Sequence, residues 1–206
     1  MKQKYYGWHK AETGFMDIIE PFLDSNMVLD IGCGSGWVGK VLKEFNRDIT
    51  VIGLDIDLVG LKEAKKEERI LSSAEKLPFK DNTFDGIIAK DVLEHLLYPL
   101  KAVLEFNRVL KEDCRIYISV PDVKSKTFWN DYTHIRPFNK KSLTHLLEDA
   151  GFRIEKLWYS ASWPGLGVIM RFLKINKTPL FIKFLAMMGR RQNVNAVAIK
   201  TSYMLL

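Results

Sequence analysis

Asp30 stands at the end of the apolar run Val28-Leu29-Asp30-Ile31, directly before the alternating glycines of Gly32-Cys33-Gly34-Ser35-Gly36. Glycines at alternate positions let the backbone turn tightly and let a ligand lie against it. The N–H groups that open the following helix favour a carboxylate or phosphate. A second acid, Asp55, lies about 20 residues beyond the loop, where a carboxylate can hold a ribose. Together these residues read as a loop for a nucleotide-type cofactor. Farther on, Asp91-x-x-Glu94-His95 sets carboxylates and an imidazole at a spacing that suits a divalent metal or a helix cap with a packing histidine.

Two cofactors compete for the loop. Gly34-Ser35-Gly36-Trp37-Val38-Gly39 satisfies the dinucleotide pattern G-x-G-x-x-G. Asp30, however, precedes the first glycine, where its charge would repel a pyrophosphate. The same charge attracts the ammonium and sulfonium of S-adenosylmethionine (SAM). No second catalytic domain of the kind a dehydrogenase needs follows within the sequence. The loop therefore points to SAM, with another nucleotide or a plain structural turn as the alternatives.

The elements that must hold these residues alternate along the chain. The pattern predicts strands at 27–31, 49–54 (running into Asp55), 69–71, 84–89, 115–120, 152–159 and 194–200. Between them it predicts helices at 13–23 with Thr13 as N-cap, 36–46, from Asp55 through Lys66, 100–110, and 140–150 closed by Gly151. Short apolar strands separated by helices imply an α/β fold, a Rossmann-like, mostly parallel sheet with helices on both faces. Ligands bind such sheets at the carboxyl ends of the strands, where the loops after the first two strands lie.

Length and composition fit a single domain over residues 1–206 with a sizeable core. Cys33 and Cys114, the two cysteines, make no disulfide framework, which fits a reducing compartment. The first ten residues lack the apolar core of a signal peptide, and no stretch reaches the ~20 apolar residues of a membrane span. A cytoplasmic protein is expected, with peripheral contact at the inner membrane face as an extension. Charge is unevenly spread. The net charge is +6, yet Glu155 is the last acid, and the eight Lys and Arg residues after it leave the first 155 residues at −2. A basic end suggests an anionic partner or a solvated face.

Four segments in order, Val28–Gly36, Val51–Asp57, 73–95 and Arg108–Asp122, resemble the class I SAM-dependent methyltransferases, in particular the small type 11-like methyltransferase domain. The resemblance covers about residues 26–155. It implies a seven-stranded sheet whose last strand is antiparallel, SAM as cofactor and S-adenosylhomocysteine as product. It also implies roles: Asp30, Gly32, Cys33, Gly34 and Gly36 around the methionine part of SAM, Asp55 on the ribose hydroxyls, Ile56 against the adenine, and Ser73, Ala74 and Glu75 near the adenine amino group. A carboxylate suits the ribose, because two O–H donors meet an acceptor-only side chain. Ser73 stands where the family usually carries Asp, which weakens that contact. Lys90 closes strand four beside the methionine, an unusual cation there. His95 would line the donor pocket. The resemblance implies no metal.

Acceptor residues in such proteins gather after strand five. Here that stretch reads Phe128-Trp129-Asn130-Asp131-Tyr132-Thr133-His134-Ile135-Arg136-Pro137-Phe138. His134 is the candidate general base, with His95 as a second catalytic candidate, because an oxygen acceptor gains from a base near its free pKa. Trp129, Tyr132 and Arg136 are candidate substrate contacts, Arg136 through its bidentate fork. The alternative is that 133–138 is a latch leading into the next helix. Residues 161–191 form a basic, apolar helical insertion, expected to be a lid over the acceptor, a peripheral membrane contact through 165–191, or a dimer surface. Strand four ends in Ile88-Ala89-Lys90-Asp91, without the Pro-rich motif of amino-methylating nucleic-acid enzymes, and neither cysteine sits where a cytosine C5 nucleophile would. The expectation is a methyltransferase acting on oxygen of a small or lipid-linked acceptor, of quinone-precursor or envelope glycan type. A non-catalytic SAM-binding module and a nucleic-acid methyltransferase are the other readings.

Overall fold

A computed structural model of the chain describes residues 15–63, 68–161 and 191–201. The predicted insertion at 161–191, including its membrane-contact stretch, lies almost wholly outside the described residues, as does Thr13. Seven strands form one sheet: β1 (Met27–Ile31), β2 (Thr50–Asp55), β3 (Glu68–Leu71), β4 (Phe84–Lys90), β5 (Leu110–Pro121), β6 (Phe152–Ala161) and β7 (Arg191–Lys200). Their order is β3-β2-β1-β4-β5-β7-β6. β1 to β5 pair in parallel, and β7 runs antiparallel between β5 and β6. The chain winds outward from β1 through β2 to β3 and then returns to β4 on the other side of β1. The order thus reverses between β1 and β4, and a ligand crevice opens outside their carboxyl ends.

Helices α1 (Phe15–Ile19), α2 (Trp37–Phe45), α3 (Leu58–Glu63), α4 (Pro99–Val109), α5 (Lys126–Trp129) and α6 (Lys140–Asp149) surround the sheet. Alternate strand residues face opposite sides. Val28, Val51, Ile88 and Tyr117 therefore pack on one face under Ile18, Phe22, Val38 and Leu42. Leu29, Ile87, Ile116 and Ile118 pack on the other face under Val103, Phe106, Leu143 and Leu147.

Three elements differ from the sequence expectation. The first helix breaks at Ile19 into a 3-10 turn, Glu20–Phe22, because Pro21 brings no N–H to an α-helical ladder. β5 starts at Leu110, five residues early. Leu110 pairs with Phe84, the register then shifts before Gly86 meets Arg115, and Asp113 takes a left-handed φ of 59° in the extra stretch. The short helix α5 has no periodic signal in the sequence. Gly151 closes α6 with φ 83°, as expected.

Candidate active site

The glycine loop leaves β1 at the reversal point. Gly32, Gly34 and Gly36 all have positive φ (70°, 48° and 74°), which only glycine adopts without cost. Gly32 is also sterically fixed, since a Cβ there would lie 2.5 Å from Val92 Cγ2. The loop is tied to β2 by the N–H groups of Gly32 and Cys33, which both donate to the Leu54 carbonyl. From β3, the Arg69 guanidinium donates to the carbonyls of Gly34 and Ser35. Arg69 is a loop-positioning residue that the sequence did not single out.

Asp55 ends β2 beside this loop. Its Oδ2 accepts the Gly34 N–H and its Oδ1 accepts the Asp57 N–H, both at 2.8 Å. The helix cap is made by Asp57 instead, whose Oδ1 accepts the Val59 N–H at the start of α3. Each Asp55 oxygen has two lone pairs. One on each is used internally, which leaves one on each for a pair of ribose hydroxyls. Next to it Ile56 is 77% exposed among the described residues, an apolar surface that suits an adenine. Asp30 is buried at the base of the loop, and Cys33 is buried within it. Ser73 Oγ accepts the Glu75 N–H, Ala74 is buried, and Glu75 Oε1 accepts the Tyr98 N–H. Ser72 N–H donates to the Asp55 carbonyl, which brings 73–75 beside Asp55. A buried acid at the loop base, paired acceptors on Asp55 and an exposed apolar side chain at Ile56 fit SAM better than a pyrophosphate.

The chain belongs to the methyltransferase domain family. Its family model matches residues 8–157. An uncharacterised protein of Methanocaldococcus jannaschii is 39% identical over 129 residues, 62% of this chain and 55% of that one. The demethylmenaquinone methyltransferase of Lactiplantibacillus plantarum is 31% identical over 160 residues, 70% of this chain and 68% of that enzyme. The chain spans little more than half the length of the first of these. In fold it is similar to a SAM-dependent methyltransferase from Archaeoglobus fulgidus, with a TM-score of 0.75, 24% identity, and coverage of 96% of this chain and 97% of that one. The cofactor of this family is SAM.

On the other side of the reversal point, a 3-10 turn, Leu93–His95, follows β4. Lys90 ends β4 and pairs with Asp91, which is held at φ 55° while its Oδ1 accepts from Asn193 of β7. Asn193 also donates to Ser119 Oγ. The loop after β5 docks onto the 3-10 turn: the N–H groups of Ile135 and Arg136 both donate to the Glu94 carbonyl. That docking brings His134 to His95, with ring centroids 4.7 Å apart. His134 Nδ1 meets the Phe128 carbonyl at 2.9 Å, and its Nε2 faces Glu94 at 4.0 Å and Asp131 at 3.8 Å. Its side chain is 9% exposed, whereas His95 is exposed. His95 Nδ1 lies 3.1 Å from Thr133 Oγ1.

Charge in this cluster is unusual. Burial, followed by the Asp91 charge, pushes the Glu94 carboxyl well above the ordinary carboxylate range. Partial desolvation of the ring, whose residue is otherwise exposed, and the neighbouring His134 push the His95 imidazole below its ordinary value. A neutral imidazole at neutral pH can accept a proton.

The remaining predicted contacts are spread out. Trp129 is 69% exposed and its Nε1 donates to the Val123 carbonyl; Tyr132 is 97% exposed. Arg136 donates to the Leu97 carbonyl. With Glu75, Tyr98, Leu104 and Leu146 it lines an open groove of about 1000 Å³ between α4 and α6. Glu94, the buried centre of the latch, was read only as part of a motif, because nothing in the sequence signals that 133–136 folds onto it.

Proposed function

We propose that this protein transfers the methyl group of SAM to an oxygen of a small or lipid-linked acceptor. The observation that carries the proposal is the Asp55 carboxylate, with one internal amide on each oxygen, set beside a glycine loop of three positive-φ residues. SAM supplies a methyl group on a sulfonium, and its transfer is an in-line displacement governed by alignment and desolvation. Asp30 at the loop base favours the cationic end, Asp55 fixes the ribose, and Ile56 covers the adenine. Lys90, at the end of β4, stands beside the methionine end. The acceptor's hydroxyl proton passes toward the imidazoles after β4, with His95 as the solvent-facing acceptor and His134 behind it. Trp129, Tyr132 and Arg136 supply acceptor contacts from the loop that carries His134.

A lipid-linked or quinone-type acceptor is supported by the basic, apolar composition of 161–191 and by the similarity to the demethylmenaquinone methyltransferase of Lactiplantibacillus plantarum. The same composition supports peripheral contact of a cytoplasmic protein with an anionic membrane face. Among the described residues, no helix is long and apolar enough to cross a membrane. The test is transfer of labelled methyl from SAM into a cell extract, followed by organic–aqueous partition. Label in the organic phase is expected. Label confined to the aqueous phase rejects the lipid acceptor, and absence of transfer with SAM bound supports a SAM-binding interaction module instead.

A further inference from the structure

The latch between the 3-10 turn and the loop after β5 does more than hold the chain. Glu94, His95 and His134 each offer one ligand atom, and these atoms all lie within 4.8 Å of one another. Glu94 is fully buried, and among the described residues neither of its side-chain oxygens meets a hydrogen-bond donor. A buried carboxyl group without a hydrogen-bond partner is costly and calls for one. His134 is oriented as metal-binding histidines are: its Nδ1–H is engaged by a backbone carbonyl, that of Phe128, which fixes the tautomer and leaves the Nε2 lone pair facing Glu94. Thr133 engages His95 Nδ1 in the same manner. Asp131 adds a second negative charge 3.8 Å from His134 Nε2.

We propose that Glu94, His95 and His134 form a site for a divalent transition-metal ion, with zinc as the reference case. Two imidazoles and one carboxylate are a donor set such ions favour, and three protein ligands leave a further position open. Bond lengths of about 2.0–2.1 Å place zinc ligands about 3.3 Å apart, so the cluster contracts on binding. His95 supplies that movement, because its side chain is exposed. The role of the ion rests on the methyl-transfer proposal. A Lewis acid beside the acceptor lowers the pKa of a bound hydroxyl. In a loaded molecule the imidazole lone pairs hold the ion, and the hydroxyl proton leaves to water instead. Binding of the ion does not depend on that role.

The experiment is titration of metal-stripped full chain with Co²⁺, read by its visible absorption, with displacement by Zn²⁺ and with SAM affinity measured in parallel by calorimetry. The expected result is a single equivalent of Co²⁺ in a tetrahedral-type spectrum, displaced by Zn²⁺. His95→Gln and Glu94→Gln are each expected to weaken binding by about 100-fold or more, since loss of supporting partners alone costs about 10–100-fold. His145→Gln, on α6 outside the cluster, is expected to leave binding unchanged. Glu94→Gln probes a buried position; His95→Gln probes an exposed one and keeps the test valid if the former does not fold. Absence of the spectrum while SAM still binds overturns the metal site, as does Co²⁺ binding that survives His95→Gln or is lost equally in His145→Gln. Loss of SAM binding in the wild-type chain overturns the cofactor assignment instead.

Discussion

Asp55→Ala separates a cofactor-binding carboxylate from a structural one. The side chain makes two 2.8 Å bonds to loop amides and keeps one lone pair on each oxygen for the ribose. Hydrogen bonds to a charged group contribute about 1.5–3 kcal/mol each, so losing both ribose contacts costs at least about 3 kcal/mol. At about 1.4 kcal/mol per tenfold, the dissociation constant for SAM rises by about 150-fold. The Gly34 and Asp57 amides also lose their acceptor, at about 1 kcal/mol each. For a domain of this size that lowers the melting temperature by about 4–8 °C, so binding is measured well below the transition. Asp55→Asn falls between, because its NH₂ necessarily faces one of the two amide donors. Titration calorimetry at constant pH reads the affinity, and a thermal melt of the same sample reads the fold. An Ala variant that melts lower yet binds SAM within threefold of the wild type refutes the ribose role and leaves Asp55 as a loop anchor.

Four further outcomes are expected. Gly32→Ala costs about 1–2 kcal/mol for its left-handed φ, plus the collision with Val92; adding Val92→Ala relieves only the collision, so a double-mutant cycle of thermal melts shows partial rescue, and full rescue or none contradicts the geometry. Arg108 donates to Glu105, Asp81 and the carbonyls of Leu77 and Phe79, clamping 77–81 to α4. Arg108→Ala should therefore cost about 2 kcal/mol in a denaturant melt after allowance for solvent screening. The Arg108 hydrogen bond, aided by the Leu77 N–H, holds the Glu105 carboxyl below its ordinary value; this stability is present at neutral pH and is lost as pH falls through and below the ordinary carboxylate range, and Arg108→Ala should flatten that acid limb. Finally, Lys174→Glu with Lys183→Glu should reduce co-sedimentation with anionic vesicles, and equal sedimentation of both proteins refutes the electrostatic membrane contact.

The proposed cofactor half of the site is legible in the sequence because it is local. The glycines and Asp30 are contiguous, and Asp55 follows after one helix, so a single strand–loop–helix–strand unit carries the signal. The proposed acceptor half is not local. Glu94 reads as a helix cap until the loop after β5 folds back and donates two amides to its carbonyl. Asn193 reaches Asp91 only because β7 inserts beside β5, and Arg69 reaches the glycine carbonyls only through the pairing of β3 with β2. Interactions across sheet order leave no periodicity in a sequence. The early start of β5 was missed for a related reason: Lys111, Glu112 and Asp113 look like a turn, and a register shift absorbs them.

The place of β7 sets a schedule for the ribosome. Among the described residues, β6 joins the sheet through β7 alone, and β7 is the last of the described strands to be made. At about 5–20 residues per second, synthesis from Pro121 to Lys200 takes roughly 4–16 s. Until β7 is made, β5 lacks its outer neighbour and β6 its described partner, while the glycine loop, Asp55 and Glu94 have already been synthesised. The residues proposed to hold the cofactor are therefore made before the outer flank of the sheet can be completed.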